Sequence, residues 1–282
     1  MLRLSNSQTE LFMHSERCYW WRYIQRLSLA VYGLTDMNWG RHIHEALEKF
    51  YVFGTVESAL KDIDMTQLEV AEASGDWHTP GRMRLLVEDY VKEYDDDFEI
   101  LSIEDDAEVP LSDDVLWVGK HDLVIRDASD GLIYILDHKT TRKKVDGSMY
   151  AGLYNNDQQM TSYHWMGQQL YGDEFGGIRI NAIQATKTIQ SNFARFPASR
   201  DDWQIEEFKA NMKVFAPRIK ECRVRGGEML REGLTEQSPE VVELFPQRRG
   251  YSENFCDYRH INNAPPEIRD SVITEMYTQY RK

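Results

Sequence analysis

Cysteine is scarce in this sequence of 282 residues: only Cys18, Cys222 and Cys256 occur. Three such separated residues are too few for a disulfide framework, which argues against a stapled secreted scaffold and for a soluble, reducing, intracellular setting. No apolar run approaches the roughly 18–20 residues needed to span a bilayer. The first residues, Met1 to Ser7, also lack the apolar stretch of a secretory signal. Positive charge is in deficit, with 33 Lys and Arg against 47 Asp and Glu and a net charge of −14. That balance argues against a protein that coats nucleic acid through a broad basic surface, although it allows basic residues gathered at one site. No G-x-x-x-x-G-K-[ST] run occurs, so a nucleotide-driven motor would have to come from a partner. Internal repeats, low-complexity tracts and linkers are also lacking.

What is present is the composition of a folded chain: 41% hydrophobic and 12% aromatic residues. Acidic residues crowd between Glu88 and Glu99 and again at Glu104, Asp105 and Asp106. Basic residues collect at Arg17, Arg22 and Arg26, at Arg142-Lys143-Lys144, and at Arg248-Arg249. Any one of these groups reads equally well as a solvated face or as part of a phosphate track.

The first hundred residues have helical spacing. Ser7-Gln8-Thr9-Glu10 fits a capping box ahead of an amphipathic stretch from Leu11 to Leu27. A second helix is expected from about Asn38 to Phe53, with Ile43, Leu47, Phe50 and Tyr51 on or beside its buried face. Thr79-Pro80 suits the start of a third. Strand patterns follow at Phe98–Ile103, Ala107–Leu111, Val115–Arg126 and Leu132–Lys139. Helical spacing returns at Asp157–Tyr171, then two strands, Ile178–Thr186 and Ile189–Phe196. A long helical region opens at Ser199, with a break expected at Pro217, and another helix at Pro265-Pro266. This order predicts one mixed α/β domain over residues 1–282: an N-terminal helical part (1–97), a sheet-containing core (98–197) and a C-terminal helical part (198–282).

The informative stretch is Gly119-Lys120-His121-Asp122 followed by Asp137-His138-Lys139-Thr140. A tight turn near Ser129 and Asp130 would set Ile125 opposite Tyr134 and Asp122 opposite Asp137. Opposed residues of an antiparallel pair share a face, and Lys139, two residues past Asp137, shares it too. Two neighbouring carboxylates repel unless a positive charge lies between them. A hard divalent cation supplies that charge and brings waters able to attack a phosphate, while Lys139 is placed to stabilise charge developing on the phosphate or to hold the water. The plain alternative is a surface hairpin with ordinary salt bridges, disfavoured by the apolar Leu123-Val124-Ile125 and Ile135-Leu136 beside the acids. His44-Glu45-Ala46-Leu47-Glu48 has the first histidine of the zinc-protease H-E-x-x-H but lacks the second.

These motifs resemble those of the PD-(D/E)XK nuclease superfamily, in particular its RecB-like exonuclease branch, which includes the AddB and CRISPR-associated RecB-like types. Gly119-x-x-Asp122 is similar to that branch's first carboxylate motif, and Asp137-His138-Lys139 to its D-x-K motif. Gly40 to Glu48 resembles its G-x-x-x-H-x-x-L-E helix, and Gln159-Met160-Thr161-Ser162-Tyr163 its Q-x-x-x-Y motif. Glu108 resembles an acidic position on the preceding strand. The motifs follow the family's order over residues 40–163, and the segments around Cys18 and Cys256 extend the likeness. The resemblance implies a restriction-endonuclease-like core, a mixed sheet flanked by helices with helical elaborations at both ends. It also implies a metal-dependent DNA exonuclease acting at DNA ends, single-stranded ones included, in recombination, repair or phage DNA processing. It assigns His44, Asp122, Asp137 and His138 to Mg²⁺ or Mn²⁺, Lys139 to the attacking water, Gln159 and Tyr163 to DNA positioning, and Arg142, Lys143 and Lys144 to phosphate contacts. It further implies a helicase or recombination partner and a cytoplasmic location in a prokaryotic or phage-infected cell.

One departure is visible. Many members of the branch hold an iron–sulfur cluster with four cysteines; here Cys18 and Cys256 match two of the positions, while Glu253 and Asn262 occupy the others. No cluster is expected, and Phe245, Tyr251, Phe255 and Tyr258 are the candidates to hold the C-terminal segment on the N-terminal helix. Two other readings stay open: a structure- or sequence-specific endonuclease of the same superfamily, and a module on the same fold that binds DNA or protein without cutting.

Overall fold

The computed structural model describes residues 1–29, 36–61, 63, 65–145, 147–187, 191–247 and 256–279. In chain order its main elements are β1 (Leu2–Leu4), α1 (Asn6–His14), α2 (Glu16–Tyr19), β2 (Leu27–Leu29), α3 (Asp36–Phe53), α4 (Val56–Lys61), α5 (Thr66–Ala73), α6 (Pro80–Glu93), β3 (Phe98–Ser112), β4 (Val115–Asp127), β5 (Ile133–Thr141), α7 (Ser148–Ala151), α8 (Gln158–Tyr171), β6 (Phe175–Gln184), β7 (Asn192–Pro197), α9 (Asp202–Arg231), α10 (Pro239–Leu244), α11 (Arg259–Asn263), α12 (Arg269–Met276) and β8 (Tyr277–Gln279). The fold is α/β, a mixed sheet with flanking helices and helical segments at both termini. Two compact units divide the chain: residues 1–33, 110–117 and 209–282 form the first, residues 34–109 and 118–208 the second. Among the described residues no helix is long and apolar enough to cross a membrane.

The second unit carries the strands in hydrogen-bonding order β4-β5-β6-β7, with β3 also on β4. The β4–β5 pair is antiparallel with Ile125 opposite Tyr134 and Leu123 opposite Leu136, the register expected from the turn chemistry. The next pair, β5–β6, is parallel, and β6–β7 is antiparallel. A parallel neighbour requires a crossover, and α8 lies on that crossover, packed against β5 and β6. Its start is fixed locally: Asp157 accepts a hydrogen bond from the Met160 N–H, an N-cap. On α6, Thr79 caps the Arg82 N–H and Pro80 takes the first turn, as expected. Leu123, Ile125 and Leu136 are buried with Tyr51 and Phe98 packed against them. Ile43 and Leu47 of α3 join Met83, Leu86, Val87 and Tyr90 of α6 and Ile183 of β6 in a larger core, with Phe50 and Tyr51 at its margin.

Gly40 explains how α3 reaches the sheet. A Cβ at this position would lie 2.6 Å from the Thr140 hydroxyl of β5, so only glycine allows that approach. Helix α3 then brings His44, one turn further on, to the β4–β5 end.

In the first unit β1 pairs in parallel with Val115–Trp117. This pairing corrects the expected capping box. Ser5 leaves the strand in an extended conformation and the helix begins at Asn6, so Ser7 to Glu10 lie inside α1. The expected continuous helix to Leu27 is also broken: Ser15 is extended, accepts the Cys18 N–H and starts α2, and a π-helical turn at Trp20–Ile24 follows. Conversely, α9 runs through Pro217 without the expected break, and the two predicted strands before Leu111 are one strand, β3. The start expected for the last strand, at Ile189, lies outside the described residues. At Pro265-Pro266 the expected helix is a short 3₁₀ turn, Pro266–Ile268, leading into α12.

The C-terminal segment is tied to the N-terminal helices by polar and aromatic contacts. Arg17 donates to the carbonyls of Phe245 and Glu236, Trp21 to Asn262, and Tyr258 to the Leu27 carbonyl. Phe245 packs on Trp20, and both Phe245 and Tyr258 are buried; Tyr251 and Phe255 lie outside the described residues, as do Arg248 and Arg249. Cys18 and Cys256 form a single disulfide across 238 residues of sequence, a bridge the sequence reading did not anticipate. Their separation is only along the chain, because the C-terminal segment returns to α2. The two positions that resemble cluster ligands are thus bonded to each other, and Cys222 is a buried free thiol.

Breaking this bridge by Cys256→Ser or by reductant is expected to lower stability by roughly 2–5 kcal/mol; thermal melts with and without a phosphine reductant measure it. Gly40→Ala is expected to cost about 1–3 kcal/mol through overpacking, outweighing the gain of about 1 kcal/mol in helix propensity. Chemical denaturation of Gly40→Ala with and without Thr140→Ala checks this, because removing the hydroxyl should restore most of the loss.

Candidate metal centre

Asp122 and Asp137 lie one step beyond the last residues that β4 and β5 pair with each other, Leu123 and Leu136, while β5 continues along β6 to Thr141. Asp137 is almost completely buried and Asp122 nearly so. Each is compensated differently. The His138 N–H donates to Asp122 Oδ2 at 2.7 Å, and His44 Nδ1 lies 3.4 Å from the same oxygen. Burial pushes the Asp122 carboxyl up, but the His44 hydrogen bond and charge and the His138 N–H more than offset it and hold the group well below the usual carboxylate range. Asp137 has Lys139 Nζ at 2.6 Å from Oδ2, yet among the described residues that oxygen accepts no hydrogen bond of good geometry. Burial dominates and raises its carboxyl to about 6 despite the lysine.

Lys139 begins a chain of hydrogen bonds. It donates to Gln159 Oε1 at 3.0 Å, Gln159 Nε2 donates to the Tyr163 hydroxyl at 3.0 Å, and that hydroxyl donates to the Lys120 carbonyl at 2.6 Å. Gln159 and Tyr163 sit one turn apart on α8 and so reach the same groove. Gly119 permits this approach, since a Cβ there would come within 3.1 Å of both Tyr163 and Met166. The motif glycine and the motif tyrosine are therefore halves of one contact. The half-buried Lys139 keeps its proton: desolvation opposes the charge, but Asp137 and Asp122 raise its pKa above the ordinary lysine value.

His44, Glu104 and Asp122 each offer one ligand atom within 4.8 Å of the others. One imidazole and two carboxylates form a donor set consistent with a divalent-metal site. The under-bonded, buried Asp137 Oδ2 beside them fits the same chemistry. Glu104, not the expected Glu108, is the acidic side chain that β3 brings to the cluster. The residue has φ of +50°, a left-handed kink inside an otherwise extended strand, and it ion-pairs with Lys120. Its trace in the sequence was the polar run Glu104-Asp105-Asp106 that split one strand pattern into two.

The structure brings His44, Asp122, Asp137, Lys139, Gln159 and Tyr163 together. His138 meets the site through its backbone N–H on Asp122 and its ring edge against His44, while that ring stacks on Tyr51 and meets Asn181 through Nδ1 at 2.7 Å; burial lowers its pKa to about 3, so it is neutral. Behind it, Arg195 binds Asp96, Tyr51, Tyr90 and Asn181. Asn181 and Arg195 were missed in the sequence, where only a polar residue inside the apolar Ile180–Ile183 run hints at them. Arg142, Lys143 and Lys144 are exposed just past β5, with Arg142 over the Trp77 ring at 5.7 Å.

A mixed sheet that gathers a carboxylate pair and a lysine beside a helix-borne histidine is a candidate metal-ligand cluster consistent with a hydrolase. Residues 3–259 match the PD-(D/E)XK nuclease superfamily, and the chain belongs to it. No curated protein matches. Among solved structures, a Eubacterium rectale protein described as an exonuclease is similar with 13% identity and a TM-score of 0.40, over 88% of this chain and 90% of that one. The structure of SSO0001 is similar with 14% identity and a TM-score of 0.32, over 80% and 84%.

Binding of a divalent cation should displace protons from this centre. Asp122 and Asp137 raise the His44 pKa above its ordinary value although burial alone would lower it, and Asp137 is raised to about 6. Both groups hold protons more tightly than usual, and both must lose them to act as ligands, so affinity falls as pH drops, Asp137 regaining its proton near pH 6, and levels off once both are deprotonated. Calorimetric Mn²⁺ titrations in buffers of different ionisation enthalpy should count about two protons released per ion at pH 5.5, and His44→Ala about one. Affinity independent of pH from 5 to 8 would contradict this assignment.

Proposed function

We propose that this chain is a divalent-metal-dependent DNA exonuclease that hydrolyses phosphodiester bonds at DNA ends, single-stranded ends included. The observation that carries the reading is the chain Asp137–Lys139–Gln159–Tyr163 set beside the donor group of His44, Glu104 and Asp122. All of these except Glu104 are motif residues whose order resembles the RecB-like branch. Mg²⁺ or Mn²⁺, when bound, would neutralise the scissile phosphate and lower the pKa of a bound water. His44, Glu104, Asp122 and Asp137 would hold it, with the His138 carbonyl as a further donor. Lys139 is aimed by Gln159, which leaves its charge available to the attacking water or to the negative charge that builds on the phosphate. Tyr163 fixes Gln159 through its own hydrogen bond, and Arg142, Lys143 and Lys144 would contact flanking phosphates. DNA recombination, repair or phage DNA processing are the settings that suit such an activity, with a helicase or recombination partner supplying any unwinding.

Purified protein is incubated with end-labelled linear single- and double-stranded DNA and with closed circles, in Mg²⁺, Mn²⁺ or EDTA. Linear substrates should shorten only with metal while circles persist. Lys139→Ala should lower the rate by at least about 10²-fold, the scale of losing one charge-stabilising group, with Mn²⁺ affinity kept. Asp122→Ala should lose both, and Tyr163→Phe should fall more modestly. Nicked or linearised circles would convert the reading to an endonuclease; intact DNA throughout, from protein whose melting point rises with Mn²⁺, would convert it to a non-cutting module.

A further inference from the structure

The first unit contains a groove of about 980 Å³ lined by Tyr23, Gln25, Arg26, Arg223, Arg231 and Gln279, with Val224 and Leu230 on its walls. Among the described residues no carboxylate lines it, in a chain that carries 47 acidic residues. Arg223 is fixed by neutral acceptors only, the Tyr19 hydroxyl, the Arg3 carbonyl and the Gln8 amide. Neither Arg26 nor Arg231 is in an ion pair among the described residues. Three arginine charges thus face one groove without a neutralising partner, against the sign of the whole molecule. Such a concentration attracts a polyanion.

Arg26 adds a second observation. Its φ is +58°, a left-handed conformation that favours glycine, because any Cβ there approaches the following carbonyl oxygen. The chain is held there because the next residue, Leu27, pairs with Gln279. A strained arginine where glycine would fit better marks a side chain kept for what it binds.

We infer that this groove is a second nucleic-acid site, holding the backbone of single-stranded DNA on Arg26, Arg223 and Arg231, with bases against Tyr23 and Leu230. Naming DNA as the polyanion rests on the nuclease reading above; the surplus of charge does not. Guanidinium groups suit phosphate recognition, and an aromatic ring beside apolar walls suits unpaired bases.

The test is fluorescence anisotropy with labelled oligo-dT in EDTA, so that the metal centre and cleavage are silent. Wild-type protein is compared with Arg26→Gln/Arg231→Gln, with Arg26→Gly, and with Arg84→Gln, an exposed arginine of the second unit. The double variant should bind about tenfold more weakly or worse, and its log affinity against log salt should flatten by about 1.4, the share of two phosphate contacts on a single strand. Arg26→Gly should lose affinity while melting at the same temperature or higher, and Arg84→Gln should match wild type. Equal affinities and salt slopes in all four proteins, or no binding by wild type, would overturn the site. A drop in the melting temperature of Arg26→Gly would overturn it as well, by making Arg26 a structural residue. Cleavage assays with metal report the nuclease reading separately, so that failure there leaves the binding result standing.

Discussion

Two carboxylates buried side by side are the constraint around which the second unit is organised. Water would solvate Asp122 and Asp137 separately, and the folded chain denies them that. Their neighbours are the compensation. His44 and a backbone N–H hold one charge, and Lys139 holds the other. The compensation is incomplete for Asp137, whose carboxyl is pushed up rather than down. A pair that is only half neutralised by protein is the electrostatic form expected of a site that completes itself with a cation.

The elements that deliver these groups depend on two glycines. Gly40 brings α3, and with it His44, against Thr140; Gly119 brings β4 against Tyr163 and Met166 of α8. Neither has a positive φ, so their reason is close approach rather than backbone freedom. The polar layer behind the site, from His138 through Asn181 to Arg195 and Asp96, gives the face opposite the carboxylates a fully bonded set of partners. Fixed on that side, the D-x-K strand has little freedom to slip, which matters because a one-residue slip would turn both site residues away.

The first unit uses other means. Large aromatic side chains, arginines bonded to carbonyls and one disulfide join the two ends of the chain. At the two positions that resemble cluster ligands, Cys18 and Cys256 clasp each other. Its basic groove and the metal centre of the second unit are built on opposite electrostatic principles: one gathers cationic side chains, the other anionic ones.

Much of this was legible in the sequence. The Asp-Ala-Ser-Asp-Gly turn pointed to the hairpin register that places Ile125 opposite Tyr134, and spacing of four put Gln159 and Tyr163 on one side of a helix. Both faces of these strands are apolar and buried, so it was the turn rather than alternation that carried the register. The motif order pointed to His44, Asp122, Asp137 and Lys139 as partners although up to 95 positions separate them in the numbering of the chain. Other features were decided only by tertiary contacts. The pairing of β1 with β4 moved the first helix start, the return of the C-terminal segment joined two distant cysteines, and a left-handed kink selected Glu104 over Glu108. Local sequence carries propensity and periodicity, which depend on neighbours a few residues away. Which distant groups meet, and how far each is stripped of water, depends on the packed chain as a whole.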